Sequence, residues 1–242
     1  MNFQLYNDNC FSIFPLLEKQ SIDLILTDLP YGTLKNTKWD KEEFPLDLMW
    51  QNILPLMKPN SNIIFFGSTL FTAKLMLSNH KLFKEHLIWN KNKGANILQA
   101  KKQHLKIHED ILVFNNGKIK YFPIMTKGKF RKKGGGKLGD YNISAQENYN
   151  DLYYPKSILN FSNVNQKDKI HITQKPVDLL EYLIKTYSNE NETILDFCAG
   201  SMSTVIAALQ TNRKVIAIEK DQEIFEKGSQ RVKNYYFNLY NK

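Results

Sequence analysis

Asp28, Leu29, Pro30 and Tyr31 follow directly on an apolar run, Ile22 to Leu26, in the segment SIDLILTDLPYGT. A run of this length and composition reads as a buried strand. Its abrupt end puts a carboxylate, a proline-stiffened turn and an aromatic ring at a strand's carboxyl end, where open α/β sheets place their ligands. An amine conjugated to a purine or pyrimidine ring is a poor nucleophile, because its lone pair is delocalised. A carboxylate and a backbone carbonyl, each accepting one N–H bond, would localise that pair. Asp28 and the Leu29 carbonyl are placed for those roles, Pro30 to fix the turn and Tyr31 to stack on the ring. Asp, Pro and Gly are also ordinary turn residues, so the tetrad alone reads equally as a strand-ending turn.

A second group of residues lies in NETILDFCAGSMSTVIAALQTNRKVIAIEKD. It has the pattern of a strand, a glycine-containing turn, a helix and a second strand. Such a turn lets a ligand approach the backbone and the helix N-terminus. About 20 residues on, the second strand ends in Glu219, suited to holding two ribose hydroxyls. The full G-x-G-x-x-G pattern is missing, which argues against NAD. A third group, HITQKPVDLLEYLI, sets Thr173, Gln174 and Lys175 just before a helix start. Backbone N–H groups, a hydroxyl and an ammonium can there bind a carboxylate; an ordinary helix cap has the same residues.

The elements that must position these groups can be read from periodicity. Strands are expected at Phe3–Tyr6, Ile22–Leu26, Ile63–Phe66, Phe83–Trp89, His108–Phe114, Thr193–Leu195 and Val215–Ile218. Helices are expected at Phe11–Lys19, Asp47–Met57, Thr69–Leu77, Val177–Tyr187, Ser203–Gln210 and Phe225–Tyr236. The turn Asn115-Asn116-Gly117 is expected to pair the His108–Phe114 strand with a neighbour. Residues 118–168 show no helical or strand period and read as a long irregular loop, basic and glycine-rich at KGKFRKKGGGKLGD. The whole is an α/β class chain in three blocks: 1–117, 118–168 and 169–242.

With 242 residues and 42% hydrophobic content, one α/β domain, or one with an insertion, is expected. The two cysteines, Cys10 and Cys198, are far apart and in no metal-ligand spacing, which fits a reduced cytoplasmic setting. No apolar run approaches the roughly 20 residues of a membrane span, and MNFQLYNDN is unlike a signal peptide. The net charge of +9 is unevenly spread. Lys84 to Lys137 holds 14 Lys/Arg against 3 acids, so the remainder is slightly acidic. A basic segment of this kind suits a polyanion such as nucleic acid, or is a solvated lysine-rich face.

Taken together, the three constellations resemble the β class of S-adenosylmethionine-dependent DNA amino-methyltransferases. The resemblance runs in order along most of the chain: Asp28-Leu29-Pro30-Tyr31, the basic middle, His171 to Pro176, then Asp196 to Thr204. It implies a Rossmann-like methyltransferase sheet, circularly permuted, with an inserted basic target-recognition segment. Residues 1–117 would be the catalytic part, 118–168 the recognition insertion and 169–242 the cofactor-binding part of the same domain. The implied activity is methyl transfer from S-adenosylmethionine to N6 of adenine in double-stranded DNA, by direct in-line transfer with base flipping and no metal. Asp as first tetrad residue is what favours adenine over the cytosine 4-amino group. Alternatives are an N4-cytosine enzyme, a methyltransferase acting on RNA or a protein amide, and a non-catalytic DNA-binding protein on a decayed methyltransferase fold.

The resemblance also implies roles. Asp28, Leu29, Pro30 and Tyr31 would be catalytic. Asp8, Cys10, Asp28, Thr173, Gln174, Lys175, Pro176, Asp196, Cys198, Ala199, Gly200, Ser201 and Glu219 would hold the cofactor. Trp39, Lys91, Lys93, Lys127, Lys129, Arg131, Lys132, Lys133 and Lys137 would contact DNA. Trp39-Asp40 resembles a closing loop after the tetrad; Trp89, Lys91 and His108-Glu109 match a weaker pattern around the target-base pocket. Two departures stand out. Leu29 replaces a Pro, and DFCAGSMST replaces a pattern near DPFAGSGTT, so that Cys198 stands for Phe and Met202 for Gly at the helix start. Both changes in the second motif are expected to weaken cofactor binding, and Met202 to crowd the helix N-terminus. Members of the class often dimerise, and a cognate restriction enzyme is a possible partner; the resemblance leaves both open here.

Overall fold

The computed structural model describes residues 2–32, 44–131, 136–143, 150–164 and 174–240. Its central strand is β2 (Ile22–Thr27), buried at every position. Alternate residues of a strand face opposite sides of a sheet. Leu24 and Leu26 therefore join one apolar layer, and Ile25 joins the other. The same alternation divides β3 (Met57–Gly67): Ile64 and Phe66 face one side, Ile63 and Phe65 the other. A sheet that must be covered on both faces explains why these strands read as continuous apolar runs.

Among the described residues the main sheet has eight strands. They are β1 (Phe3–Asn7), β2, β3, β4 (Phe83–Ala95), β5 (Lys106–Asn115), β10 (Ile158–Asn160), β11 (Thr193–Asp196) and β12 (Lys214–Glu219). Their order is β1-β12-β11-β2-β3-β5-β4-β10, with β5 running against all the others. Helices α4 (Val177–Tyr187), α5 (Ser203–Gln210) and α6 (Gln222–Tyr240) supply one layer. Helices α1 (Cys10–Ile13), α2 (Leu46–Ile53) and α3 (Leu70–Ser78) supply the other. Two compact units are present: 1–122 with 157–242, and 123–156. The second unit holds two short antiparallel ribbons, β6 (Thr126–Arg131) with β9 (Asn150–Tyr153) and β7 (Gly136–Leu138) with β8 (Tyr141–Ile143). Among the described residues no helix is long and apolar enough to cross a membrane.

Several expectations need correction. Phe11–Lys19 is not one helix: α1 stops at Ile13 and a single 3-10 turn follows over Phe14–Leu16, with Pro15 lacking the N–H that an α-helix needs. Pro55 shortens α2 in the same way. The Asn115-Asn116-Gly117 turn does not join β5 to its neighbours. Instead β4 and β5 form a long hairpin, and the side chains of Asn115 and Asn116 bond the backbone around Lys58–Ser61. Residues 118–168 are not wholly irregular, since β6 to β9 lie there and β10 returns to the main sheet beside β4.

Candidate active site

Parallel strands β12, β11, β2 and β3 all end at one edge of the sheet, and that edge carries the tetrad. Asp28 follows Thr27, the last residue of β2. Leu29 is buried in the layer formed by α1, α2 and α3, so an apolar anchor fixes the turn where the resembling class has proline. The Tyr31 hydroxyl donates to Asp28 Oδ1 at 2.8 Å, and its ring lies 4.9 Å from that of Phe71. Lys175, at 8% exposure, donates its ammonium to Asp28 Oδ2.

Lys175 is one link of a longer chain of charges. Its Nζ lies 3.4 Å from Glu109 Oε2 on β5 and 4.8 Å over the Phe66 ring. Glu109 accepts from Lys91 on β4, whose Nζ lies 4.8 Å over Trp89. Strand register brings these together, since Trp89 pairs with Glu109 across β4 and β5. The order Asp28, Lys175, Glu109, Lys91 alternates in sign. Burial, with Glu109 nearby, raises the Asp28 pKa, while Lys175 opposes the rise. Burial would raise Glu109 too, but Lys175 and Lys91 hold it below the ordinary value. Burial would lower Lys175, and the two carboxylates outweigh it and push the ammonium up. Burial and Asp28 place the Tyr31 phenol well above its ordinary value.

The second constellation lies on the adjacent strand, β11, whose Leu195 pairs with Ile25 of β2. Asp196 Oδ1 accepts from Thr27 Oγ1 at 2.8 Å, which ties the two strand ends together. The Cys198 N–H reaches Thr27 Oγ1 at 3.2 Å and Asp196 Oδ1 at 3.3 Å. Burial raises the Asp196 pKa to about 6, against hydrogen bonds from Thr204 and Thr27. Beyond the turn, Glu219 ends β12. Its Oε2 accepts from Gly200 N at 2.7 Å and its Oε1 from Asp221 N at 2.9 Å. Burial raises its pKa. Two backbone bonds fix the carboxylate's plane and leave lone pairs for hydroxyl donors. Gly200 has φ +48°, and a Cβ built there meets nothing within 4 Å. The turn thus faces open space at a conformation that favours glycine.

Met202 caps α5 with a left-handed backbone, φ 59°, and its side chain is fully buried. It lies against Gly228 of α6, where an added Cβ would come within 2.7 Å of Met202 Cγ. Its bulk therefore goes into the core, and the expected crowding of the helix start is corrected by that placement. Cys198 and Cys10 both border the layer of α1 to α3. Burial pushes the Cys10 thiol up to about 12 and the Cys198 thiol well above its ordinary value, so both are protonated, weak nucleophiles.

The other candidates are distributed as follows. Asp8 is exposed just after β1, where Asn7 pairs with Glu219. Gln174 is buried, and Pro176 is the N-cap of α4. Ala199 N donates to Ile218 O at 2.9 Å, and Ser201 meets Ser203 at 3.0 Å between side-chain oxygens. Lys93 is exposed on β4, and Lys91 is engaged with Glu109 and Trp89. Lys127, Lys129 and Arg131 lie on β6 and Lys137 on β7, in the smaller unit; Lys127 Nζ is 3.4 Å from Asp151. Trp39, Asp40, Lys132, Lys133, His171, Ile172 and Thr173 lie outside the described residues. Sequence reasoning placed Glu109 only in a weak pattern and missed it as the partner of Lys175. Among the described residues, no group of three His, Cys, Asp or Glu side chains could hold a metal ion.

Comparison with known proteins decides the family. A family model described as DNA methylase, of the N6/N4 methyltransferase type, matches residues 22–230. The chain belongs to that family. It is a DNA methyltransferase on a mostly parallel α/β sheet. It is 29% identical over 230 residues to the DNA adenine methyltransferase YhdJ of Escherichia coli, an alignment covering 88% of this chain and 76% of that one. Its fold is similar to that of the crystal structure of the M1.HpyAVI-SAM complex, with TM-score 0.64, 22% identity, and coverage of 95% and 98%. It is likewise similar to the cytosine-N4-specific PvuII DNA methyltransferase, with TM-score 0.68, 14% identity, and coverage of 100% and 93%.

Proposed function

We propose that this methyltransferase transfers the methyl group of S-adenosylmethionine to the exocyclic N6 of adenine in double-stranded DNA. The observation that carries the reading is the Asp28 carboxylate at the end of β2, oriented by Tyr31 and Lys175 and tied through Thr27 to the Asp196–Gly200 turn. Asp at the head of the tetrad and the likeness to an adenine methyltransferase support adenine as the target. The turn fits the cofactor. Open space in front of Gly200 admits a ligand to the backbone, and Glu219 offers a fixed carboxylate to ribose hydroxyls. Asp8, Cys10, Gln174 and Pro176 are assigned to the rest of that pocket.

When bound, S-adenosylmethionine supplies an activated methyl group on a sulfonium. The chain's residues supply alignment and amine activation. Asp28 accepts one N–H of the target amine and the Leu29 carbonyl accepts the other, which localises the nitrogen lone pair. Tyr31 stacks on the base, which must leave the duplex to reach them. Phe71 backs the Tyr31 ring, and the bond to Asp28 fixes its rotation. No covalent enzyme intermediate is needed, in keeping with two thiols that burial keeps protonated.

The test is methyl transfer to unmethylated genomic DNA followed by digestion and separation of nucleosides. N6-methyladenine is the expected product. N4-methylcytosine would retain the family chemistry and overturn the choice of base. Strong transfer to RNA with none to DNA would overturn the substrate.

A further inference from the structure

Strand β3 stops at Gly67, which faces Asp110 of β5. Strand β5 begins four residues earlier, at Lys106, and β4 continues to Ala95, its partner. At about 3.4 Å per residue, the β4–β5 hairpin stands about 14 Å above the edge that carries Asp28. Its summit is built rather than loose. Asn96 adopts a left-handed conformation, φ 61°, and starts a 3-10 turn over Ile97–Gln99. The Gln99 carbonyl then accepts Lys102 N at 2.8 Å and Gln103 N at 3.0 Å. Lys106 donates its ammonium to the Ser68 hydroxyl, which fastens the hairpin's base to the loop after β3.

The summit exposes apolar side chains in a basic setting. Leu98 is 98% exposed and Ile97 74%, with Leu105 and Ile107 partly exposed below them. From His86 to His108 the sequence has five lysines and no acid. Packing two such summits against each other would bring like charges together. A nucleic-acid duplex suits both features, because lysines neutralise phosphates and apolar side chains insert between base steps. A base that leaves the stack creates a gap of that kind beside the target.

We infer that Ile97 and Leu98 form a wedge that enters the DNA duplex beside the target base and holds the vacated stack open, with Lys93, Lys101 and Lys102 on the flanking phosphates. The wedge rests on the amino-methyltransferase reading above and adds an element for opening the duplex. It acts from the carboxyl edge of the sheet, on a hairpin whose base contains Lys91 and Glu109, the outer links of the charge chain to Asp28.

The test first reads the recognition site from methylated genomic product. A duplex carrying that site is then offered in two forms, with the target base paired or opposite an abasic residue. Leu98 lies outside the core, so Leu98→Ala leaves the fold intact. The variant should lose at least about 10-fold in kcat/KM on the paired duplex and less than about 3-fold on the abasic one, because only in the former must flipping break base-pair hydrogen bonds as well as stacking. Its affinity for S-adenosylmethionine should match the wild type. Equal losses on both duplexes, or none on either, would overturn the wedge. So would a wild-type dimer that Leu98→Asp converts to monomers, which would assign the summit to self-association. A wild-type chain that methylates neither duplex would overturn the transferase reading itself, a result distinct from an active wild type matched by its variant.

Discussion

Replacing Lys175 by methionine isolates what the charge chain does for Asp28. Methionine keeps much of the volume and the apolar contact with Phe66 but removes the ammonium. Among the described residues, the groups that then face Asp28 are Tyr31 from its own turn, Glu109 from β5, and Asp196 and Cys198 from β11 and its turn. None of these is a cation. The side chains of Lys175 and Asp28 are 9% and 22% exposed, so the pair is little screened. Breaking a buried pair by removing one partner costs about 3–5 kcal/mol. Protonation of Asp28 limits the cost. Its pKa is already raised by burial, and loss of Lys175 raises it further, so the ionised carboxylate carries the penalty. The stability deficit should therefore be largest at pH 8 and shrink at pH 5. The acidic limb of the kcat/KM profile should move to higher pH, because a protonated Asp28 no longer accepts from the target amine. Lys175→Arg, which keeps the charge, should restore most of both. Denaturant unfolding at the two pH values and the pH profile of transfer check this. An equal deficit at both pH values, with an unmoved limb, would refute the reasoning.

Three further outcomes follow from the neighbouring turn. Glu219→Gln keeps the shape but weakens the acceptor for ribose hydroxyls; affinity for S-adenosylmethionine by calorimetry should fall about 10-fold, in line with about 1.5 kcal/mol for a hydrogen bond to a charged group. Asp196 titrates at about 6 in the fold against an ordinary 3.8, a gap worth about 3 kcal/mol. Because the folded value is the higher one, that stability is present below 3.8 and lost as pH rises through about 6; Asp196→Asn should flatten unfolding free energy across that window. Met202→Gly should relieve about 1–2 kcal/mol of left-handed strain but lose about 2–5 kcal/mol of burial, for a net loss of up to about 4 kcal/mol by equilibrium denaturation.

Much of this was legible in the sequence because it is local. Pro176 and the helical period after it mark α4, and Val177–Tyr187 has the expected limits. The tetrad and Glu219 are visible because each ends an apolar run, and strand ends at one edge are brought together by a parallel sheet. The charge chain was not legible. Lys175 and Asp28 are 147 residues apart, and only the register of β4 and β5 sets Lys91 and Glu109 beside them. The ribbons of the smaller unit escaped for another reason. Segments such as Thr126–Arg131, rich in Lys and Gly, bury no apolar face and so show no period. The role of Met202 also needed the structure, because nothing in its own turn reveals that Gly228 makes room for it.

The most direct test compares wild type with Asp28→Ala for transfer of radiolabelled methyl from S-adenosylmethionine to unmethylated genomic DNA, with nucleosides separated and cofactor binding measured on both proteins. The account predicts label in N6-methyladenine for the wild type. It predicts no label for the variant, with cofactor binding largely intact. Wild-type turnover by Asp28→Ala would contradict it.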